Sequence, residues 1–259
     1  MKLKERHRKT EVRTMTPEEK FLFDLQGFLV VKNVLSKEEM AVLNAVLDEK
    51  VAGKQHEWYT ERVSNWGKPF QDLLDHPNLL PYIIELVHEK FRLDHDYCIC
   101  MDKGNHRAHL HGGEGHESDH WYKVRNGQIR NGLTVFAYVL TDVPEGAGGF
   151  TCIPGTHKSQ FLDGIPRDVL TQDSRPSYVL QPPVAAGSVV IFTEALVHGT
   201  RPWQADHQRR ALLYKFSPGH SAWSQKYYSA EEYTDLTPQQ RRILESPSVG
   251  SRKDVVQSG

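Results

Sequence analysis

The chain has 259 residues, of which 38% are hydrophobic and 25% charged, with a formal net charge of −1. That profile belongs to a folded globular protein and argues against a mainly disordered chain. The balanced charge offers no basic field for nucleic acid, and no apolar run approaches the roughly 20 residues that span a bilayer.

The basic stretch from Lys2 to Arg13 is followed by no apolar run, so residues 1–15 read as a flexible arm and not as a secretory signal. Thr16-Pro17-Glu18-Glu19 combines an N-cap hydroxyl, a first-turn proline and a capping-box acid, which predicts a short helix ending near Gly27. Phe28–Val31 then reads as a buried strand. Ser36-Lys37-Glu38-Glu39 is a second capping box, with Met40, Leu43, Val46 and Leu47 following at helical spacing. A third helix is predicted through Leu79, Ile83, Ile84 and Val87, after Pro77.

From Tyr97 onward the pattern changes. Strands are predicted at 97–101, 133–140, 150–153, 188–192 and 211–216, with turn dipeptides at Asn126-Gly127 and Asn131-Gly132. Short helices return at Ser229–Glu232 and after Thr237-Pro238, and the polar residues 246–259 read as a disordered tail. Strands at this spacing, with no helical pattern between them, predict one mainly-β domain over residues 16–245, an antiparallel barrel or sandwich with helical additions. Cys98, Cys100 and Cys152 form no CxxC pair, which fits a reduced, cytoplasmic compartment with the cysteines as small buried groups.

The chemistry concentrates in one segment. The glycine turn at Gly187 leads into the apolar strand Ser188–Phe192, and His198 stands where the next short strand begins. Arg209 follows eleven positions later at the start of another buried strand. A guanidinium entering a strand needs an anion, and a carboxylate matches its planar fork. Together with Gly149-Phe150-Thr151-Cys152-Ile153-Pro154-Gly155-Thr156-His157-Lys158, and with the opening Gly27–Val30 and Leu35–Glu39, this segment resembles the phytanoyl-CoA dioxygenase family over about residues 20–223. The resemblance implies a double-stranded β-helix (jelly-roll, cupin-like) core. It implies an Fe(II)- and 2-oxoglutarate-dependent dioxygenase that uses O2 and a small-molecule substrate. It implies His198 as the distal iron ligand, Arg209 as partner of the oxoglutarate's far carboxylate, and Thr200 as a hydroxyl donor to that carboxylate. Arg210, one residue on, points to the opposite strand face. His157, in the Pro-Gly-Thr-His-Lys turn, reads as structural.

The family's first metal motif, H-x-D, finds its counterpart at His109-Leu110-His111-Gly112-Gly113-Glu114, with His111 as first ligand. Gly113 then stands where the acid is expected, and three readings are open. The position is vacant and admits chloride, as in related radical halogenases; or Glu114 or Asp119 swings in; or His109 supplies a third histidine. His106, His116 and His120 read as solvated loop residues. A zinc site from His111, His116 and His120 lacks a rigid element to hold it. Trp121, Tyr122, Trp203 and Trp223 are pocket candidates, although aromatic residues are more often core. The expected reaction is oxidation of an unactivated C–H bond, delivering hydroxyl, or halide if the acid position is vacant. A cupin-like hydrolase or isomerase without oxoglutarate, or a metal-free metabolite-binding domain, stands as the alternative. Arg209 argues against the first, and the joint presence of His111, His198, Thr200 and Arg209 against the second.

Overall fold

The structure, a computed structural model, describes residues 14–53, 57–104 and 108–257; His106 and all but the last two residues of the expected arm lie outside these ranges. Both capping boxes form. Thr16 caps α1 (Pro17–Gln26) and Ser36 caps α2 (Lys37–Val51), each hydroxyl receiving the N–H of a glutamate that reaches back to the cap. Between them lies β1 (Phe28–Val31), and beyond them β2 (Glu57–Glu61), α3 (Lys68–Gln71) and α4 (Leu80–Leu86). The next strands are β3 (Phe91–Met101), β4 (Ala108–His111), β5 (Tyr122–Arg125), β6 (Gln128–Asn131), β7 (Thr134–Val139) and β8 (Gly149–Cys152). After α5 (Arg167–Leu170) come β9 (Val189–Thr193), β10 (His198–Arg201) and β11 (Arg209–Pro218), and α6 (Pro238–Ile243) closes the series.

The strands form the expected antiparallel jelly roll. The larger sheet runs β1-β9-β7-β11-β3-β2, the smaller β4-β10-β8, and β5 and β6 make a separate hairpin. The period-2 alternation of each strand divides the core. On β7, Phe136 and Tyr138 face the helices with Leu43, Leu47, Tyr82 and Ile83, while Val135, Ala137 and Val139 face the interior with Phe192, Ala211 and Leu213. Strand β3 starts six residues before the predicted one, because Arg92, Asp94 and Asp96 conceal a buried strand. These charges are satisfied: Arg92 donates to Asp94 at 2.9 Å, and the backbone N–H groups of Trp223 and Ser224 also donate to Asp94. Where β3 pairs with β11, the register shifts between Lys215 and Phe216, so that Lys215 pairs with His95 and Phe216 with Leu93.

The tail departs from expectation. Val255 is fully buried, and its N–H donates to the Glu89 carbonyl. Arg252, 5% exposed, donates to the carbonyls of Lys90, Phe91 and Arg242. A polar composition hid two anchors, one apolar and one that satisfies carbonyls at the end of α6. Among the described residues, no helix is long and apolar enough to cross a membrane. Cys98, Cys100 and Cys152 are buried free thiols.

Asp94 generates a stability prediction. Burial pushes its carboxyl up, but His95, the Trp223 N–H and Arg92 outweigh that and hold it below the usual carboxylate range. Asp94→Asn leaves the 1%-exposed Arg92 uncompensated and is expected to cost about 3–5 kcal/mol at neutral pH. Because the folded-state value is depressed, the advantage of the native chain is complete above about pH 4 and declines as pH falls through that lower value. Denaturant unfolding of both proteins between pH 7 and pH 3 checks it; a constant gap across that range refutes the assignment.

Candidate metal centre

Strands β4 and β10 are neighbours in the small sheet, and their register sets His198 opposite His111. The two imidazole centroids are 4.5 Å apart. Each ring is oriented by its own strand: Nδ1 of His111 bonds the His109 carbonyl at 3.0 Å, and Nδ1 of His198 bonds the Leu196 carbonyl at 2.7 Å. Those bonds place the proton on Nδ1 and leave both Nε2 atoms as lone-pair donors. Burial, then the neighbouring His111, pushes His198 down to about 4, so its ring is neutral at physiological pH.

The third member is Glu194, the first residue after β9, four positions before His198. Its N–H donates to the Leu133 carbonyl, and its Oε2 lies 3.7 Å from Nε2 of His198. Ligand atoms of His111, Glu194 and His198 all lie within 4.8 Å of one another, and no other such group occurs among the described residues. Oε1 of Glu194 is in ion-pair contact with Nζ of Lys215 at 2.7 Å, close but outside hydrogen-bond alignment. Burial pushes Glu194 up, but Lys215 and His198 hold it well below the carboxylate range. Burial pulls Lys215 down, and Glu194 more than reverses it. The pair is ionised.

None of the expected third ligands enters this group. Glu114 accepts the Tyr122 N–H at 2.9 Å. Asp119 is buried with neither oxygen hydrogen-bonded, and burial, then the carboxylates of Asp94 and Glu194, push it up to about 6. His109 is exposed and meets His111 only through its carbonyl. Gly113 does not leave a gap at the imidazoles. A Cβ there would lie 2.5 Å from Leu162 and 3.5 Å from Val197, in the apolar cluster that includes Leu110 and Ile153. Its φ of +115° is also one that side chains avoid.

An inner cavity of about 90 Å³ adjoins the centre; His198, Thr200, Arg209 and Lys215 line it beside Phe192 and Leu213. Arg209 packs its guanidinium against the Met101 sulfur at 3.4 Å and against Gly149, where a Cβ would come within 2.9 Å of Nε. Arg210 turns the other way, to Asp48 and Asn44 on α2. A wider outer basin of about 430 Å³ is lined by His111, His116, His120, Thr200 and Trp223. The zinc trio does not assemble: His116 is exposed, and it and His120 stack at 5.8 Å. His120, expected in solvent, is 5% exposed. Trp203 is core, Trp121 and Tyr122 lie outside both spaces, and His157 is buried against the Asp24 carbonyl and the Tyr122 ring.

Glu194 and Lys215 are the residues that sequence reasoning missed. A signal existed for each: an acid at the end of the apolar run Val189–Thr193, and a lysine inside the buried run Leu212–Phe216. The rule that a charge entering a buried strand needs a partner applies to Lys215 as it does to Arg209.

A jelly roll with two histidines and a carboxylate converging beside a cavity that carries an arginine has the architecture of a metal-dependent oxygenase. The phytanoyl-CoA dioxygenase (PhyH) family matches residues 23–211, and the chain belongs to that family. No curated protein matches the sequence. Among solved structures, HygX from Streptomyces hygroscopicus with nickel and 2-oxoglutarate bound is 21% identical, with a TM-score of 0.74 over 85% of this chain and 94% of that one. The epimerase SnoN from nogalamycin biosynthesis, in complex with Fe3+, alpha ketoglutarate and nogalamycin RO, is 16% identical, with a TM-score of 0.61 over 91% and 96%. The carbocyclase SnoK, from the same biosynthesis, is 19% identical, with a TM-score of 0.60 over 79% and 85%. At these identities the likeness is one of fold.

Gly113→Asp tests the loop geometry. The added side chain meets Leu162 and a disfavoured φ, so the variant is expected to lose about 1–3 kcal/mol of stability. It gains no ligand, and its Co(II) affinity by calorimetric titration stays within a few-fold of the native chain. Tighter binding, or a Co(II) spectrum altered by the new carboxylate, overturns this geometry.

Proposed function

We propose that the chain is an Fe(II)- and 2-oxoglutarate-dependent oxygenase that hydroxylates an unactivated C–H bond of a small molecule. His111, Glu194 and His198 hold the metal, and Arg209 with Thr200 receives the far carboxylate of the 2-oxo acid. The observation that carries this reading is the convergence of two Nε2 lone pairs and one ionised carboxylate beside a cavity whose wall presents Arg209. That donor set suits iron: two imidazoles and one carboxylate on one face leave three positions for a chelating acid and oxygen. The chemistry such a centre supplies when bound is activation of dioxygen coupled to oxidation of the 2-oxo acid and the substrate.

The residues of the chain do the rest. The backbone carbonyls of His109 and Leu196 hold the two rings in one tautomer. Lys215 engages Oε1 of Glu194 and leaves Oε2 facing the histidines. Arg209, 7% exposed, fixes which end of the 2-oxo acid enters the cavity, and Val190, Phe192 and Leu213 exclude water around it. With Glu194 in place, the carboxylate position is filled from outside the H-x-D segment, and hydroxylation is favoured over halide transfer.

Three measurements test the proposal. One Co(II) is expected to bind per chain, with Glu194→Gln weakening it at least tenfold, while Glu114→Gln, Asp119→Asn and His109→Ala stay within about threefold. Chloride leaves the spectrum of the metal–oxoglutarate complex unchanged; a chloride-dependent shift revives the vacant-site reading. Arg209→Ala is expected to weaken oxoglutarate binding about thirtyfold or more, the scale of losing one partner of a buried charge pair, about 2–5 kcal/mol. Arg210→Ala has little effect. Equal losses remove Arg209 as the anchor.

A further inference from the structure

The β5–β6 hairpin stands outside both larger sheets, and its charges serve no part of the metal centre. Its register pairs Lys123 with Arg130 and Arg125 with Gln128. Residues directly opposite share a face, as do residues two apart on a strand. Lys123, Arg125 and Arg130 therefore lie on one face with Gln128, while Val124 and Ile129 take the other. Like charges set opposite one another destabilise a strand pair, and a two-stranded hairpin has little stability to lose. The tight turn at Asn126 and Gly127, both with positive φ, holds that cationic face in one shape.

The face borders a pocket of about 240 Å³. Arg125, Gln128 and Arg130 of the hairpin line it with His88, which follows α4, and His220, which follows β11. Among the described residues, no aspartate or glutamate lies on that lining. Glu89, off the lining, accepts from Arg130 at 3.0 Å and is taken up by it. Arg125 and His220 are exposed, and among the described residues no carboxylate pairs with either. The Nδ1 of His88 accepts the Lys90 N–H at 3.0 Å, so its ring hydrogen sits on Nε2 and its remaining polar atom is a donor. Burial, with Arg130, His220 and Lys90 acting against the pull of Glu89, holds His88 below the usual histidine range. The Oε1 of Gln128 accepts from Arg130 at 3.2 Å, which leaves its amide N–H groups to donate. Donors and cations thus gather at one pocket. The rest of its wall is apolar: Trp121, Val87 and Pro218, surfaces that a bare inorganic anion would leave uncovered.

We infer that this pocket binds a small aromatic phosphate monoester, its phosphate held by Arg125 and His220 and its ring laid against Trp121. The pocket lies at the Pro218 end of β11, and Arg209 stands at the other end, so its occupancy is independent of the oxygenase reading above. The full chain is titrated with phenyl phosphate, inorganic phosphate and phenol by ligand-observed NMR. Phenyl phosphate is expected to bind saturably and at least tenfold tighter than either of the others, because it alone meets both the cations and the apolar wall. The double variant Arg125→Gln, His220→Gln changes two exposed side chains and preserves the fold; it is expected to weaken phenyl phosphate about tenfold. Arg241→Gln, which removes an exposed cation from α6, is expected to leave binding unchanged, as is saturation with Co(II) and 2-oxoglutarate. Inorganic phosphate or phenol binding as tightly, no binding of phenyl phosphate, indifference to the double variant, or an equal loss in Arg241→Gln overturns the inference. Displacement of phenyl phosphate by 2-oxoglutarate overturns it too, and moves the anion to Arg209.

Discussion

Lys215 and Glu194 are two opposite charges held in the interior of a β-sandwich, with side chains 12% and 4% exposed. Taking each from water costs several kcal/mol, and only the attraction of its partner offsets that. The strands around the centre are constrained by that requirement. Lys215 must face inward, which fixes the face of β11, and Glu194 must sit where β9 ends, which fixes the turn into β10. His198 then follows at the first position of β10, opposite His111. An ion pair that adds little net stability thus decides where three strands place their side chains.

Strand β11 shows how much one register carries. Its inward face presents Arg209, Ala211, Leu213 and Lys215 to the inner cavity, and its outward face packs Leu212, Tyr214 and Phe216 against the helices. The two cations stand six residues apart, roughly 20 Å at about 3.3 Å per residue, separated by small and aliphatic groups that keep water from both. A slip of one residue would send Arg209 and Lys215 into the helical layer and Tyr214 into the cavity. The shift in pairing with β3 at Lys215 lets β3 carry the extra residue Asp94, which ties Trp223 and Ser224 to the mouth of the outer basin.

What was legible in the sequence follows the same physics. Capping boxes at Thr16 and Ser36 and the apolar strands β7 and β9 could be read because local chemistry alone specifies them. The face taken by Arg209 could be read because alternation is strict. Strand β3 was shortened because Arg92, Asp94 and Asp96 look like solvent residues until the partners that bury them, from Ser64 to Tyr228, are brought up from distant parts of the chain. The tail was misread for the same reason at Arg252. His120 looked solvated because its neighbours Glu117, Ser118 and Asp119 are polar, and nothing local reveals the packing of Gly132, where a Cβ would fall 1.6 Å from the Asp119 carbonyl. Arg92, Asp94, Asp96 and Arg252 are polar groups with partners far away in the chain.

The centre itself carries that lesson to its end. Reading outward from His111 assigns the carboxylate to the same strand end, because the two-residue spacing of H-x-D puts both side chains on one face. Here the two glycines that follow His111 both have positive φ, and a Cβ on Gly112 would come within 2.7 Å of the carbonyl oxygens of Glu194 and Leu196. The loop therefore lies directly against the turn that holds Glu194, closer than any side chain allows. In the proposed centre, the carboxylate accordingly comes from the turn after β9, four residues before His198. Glycine at position 112 and glutamate at position 194 are then one feature: the absence of a side chain at the first is what lets the backbone pack against the turn that carries the second.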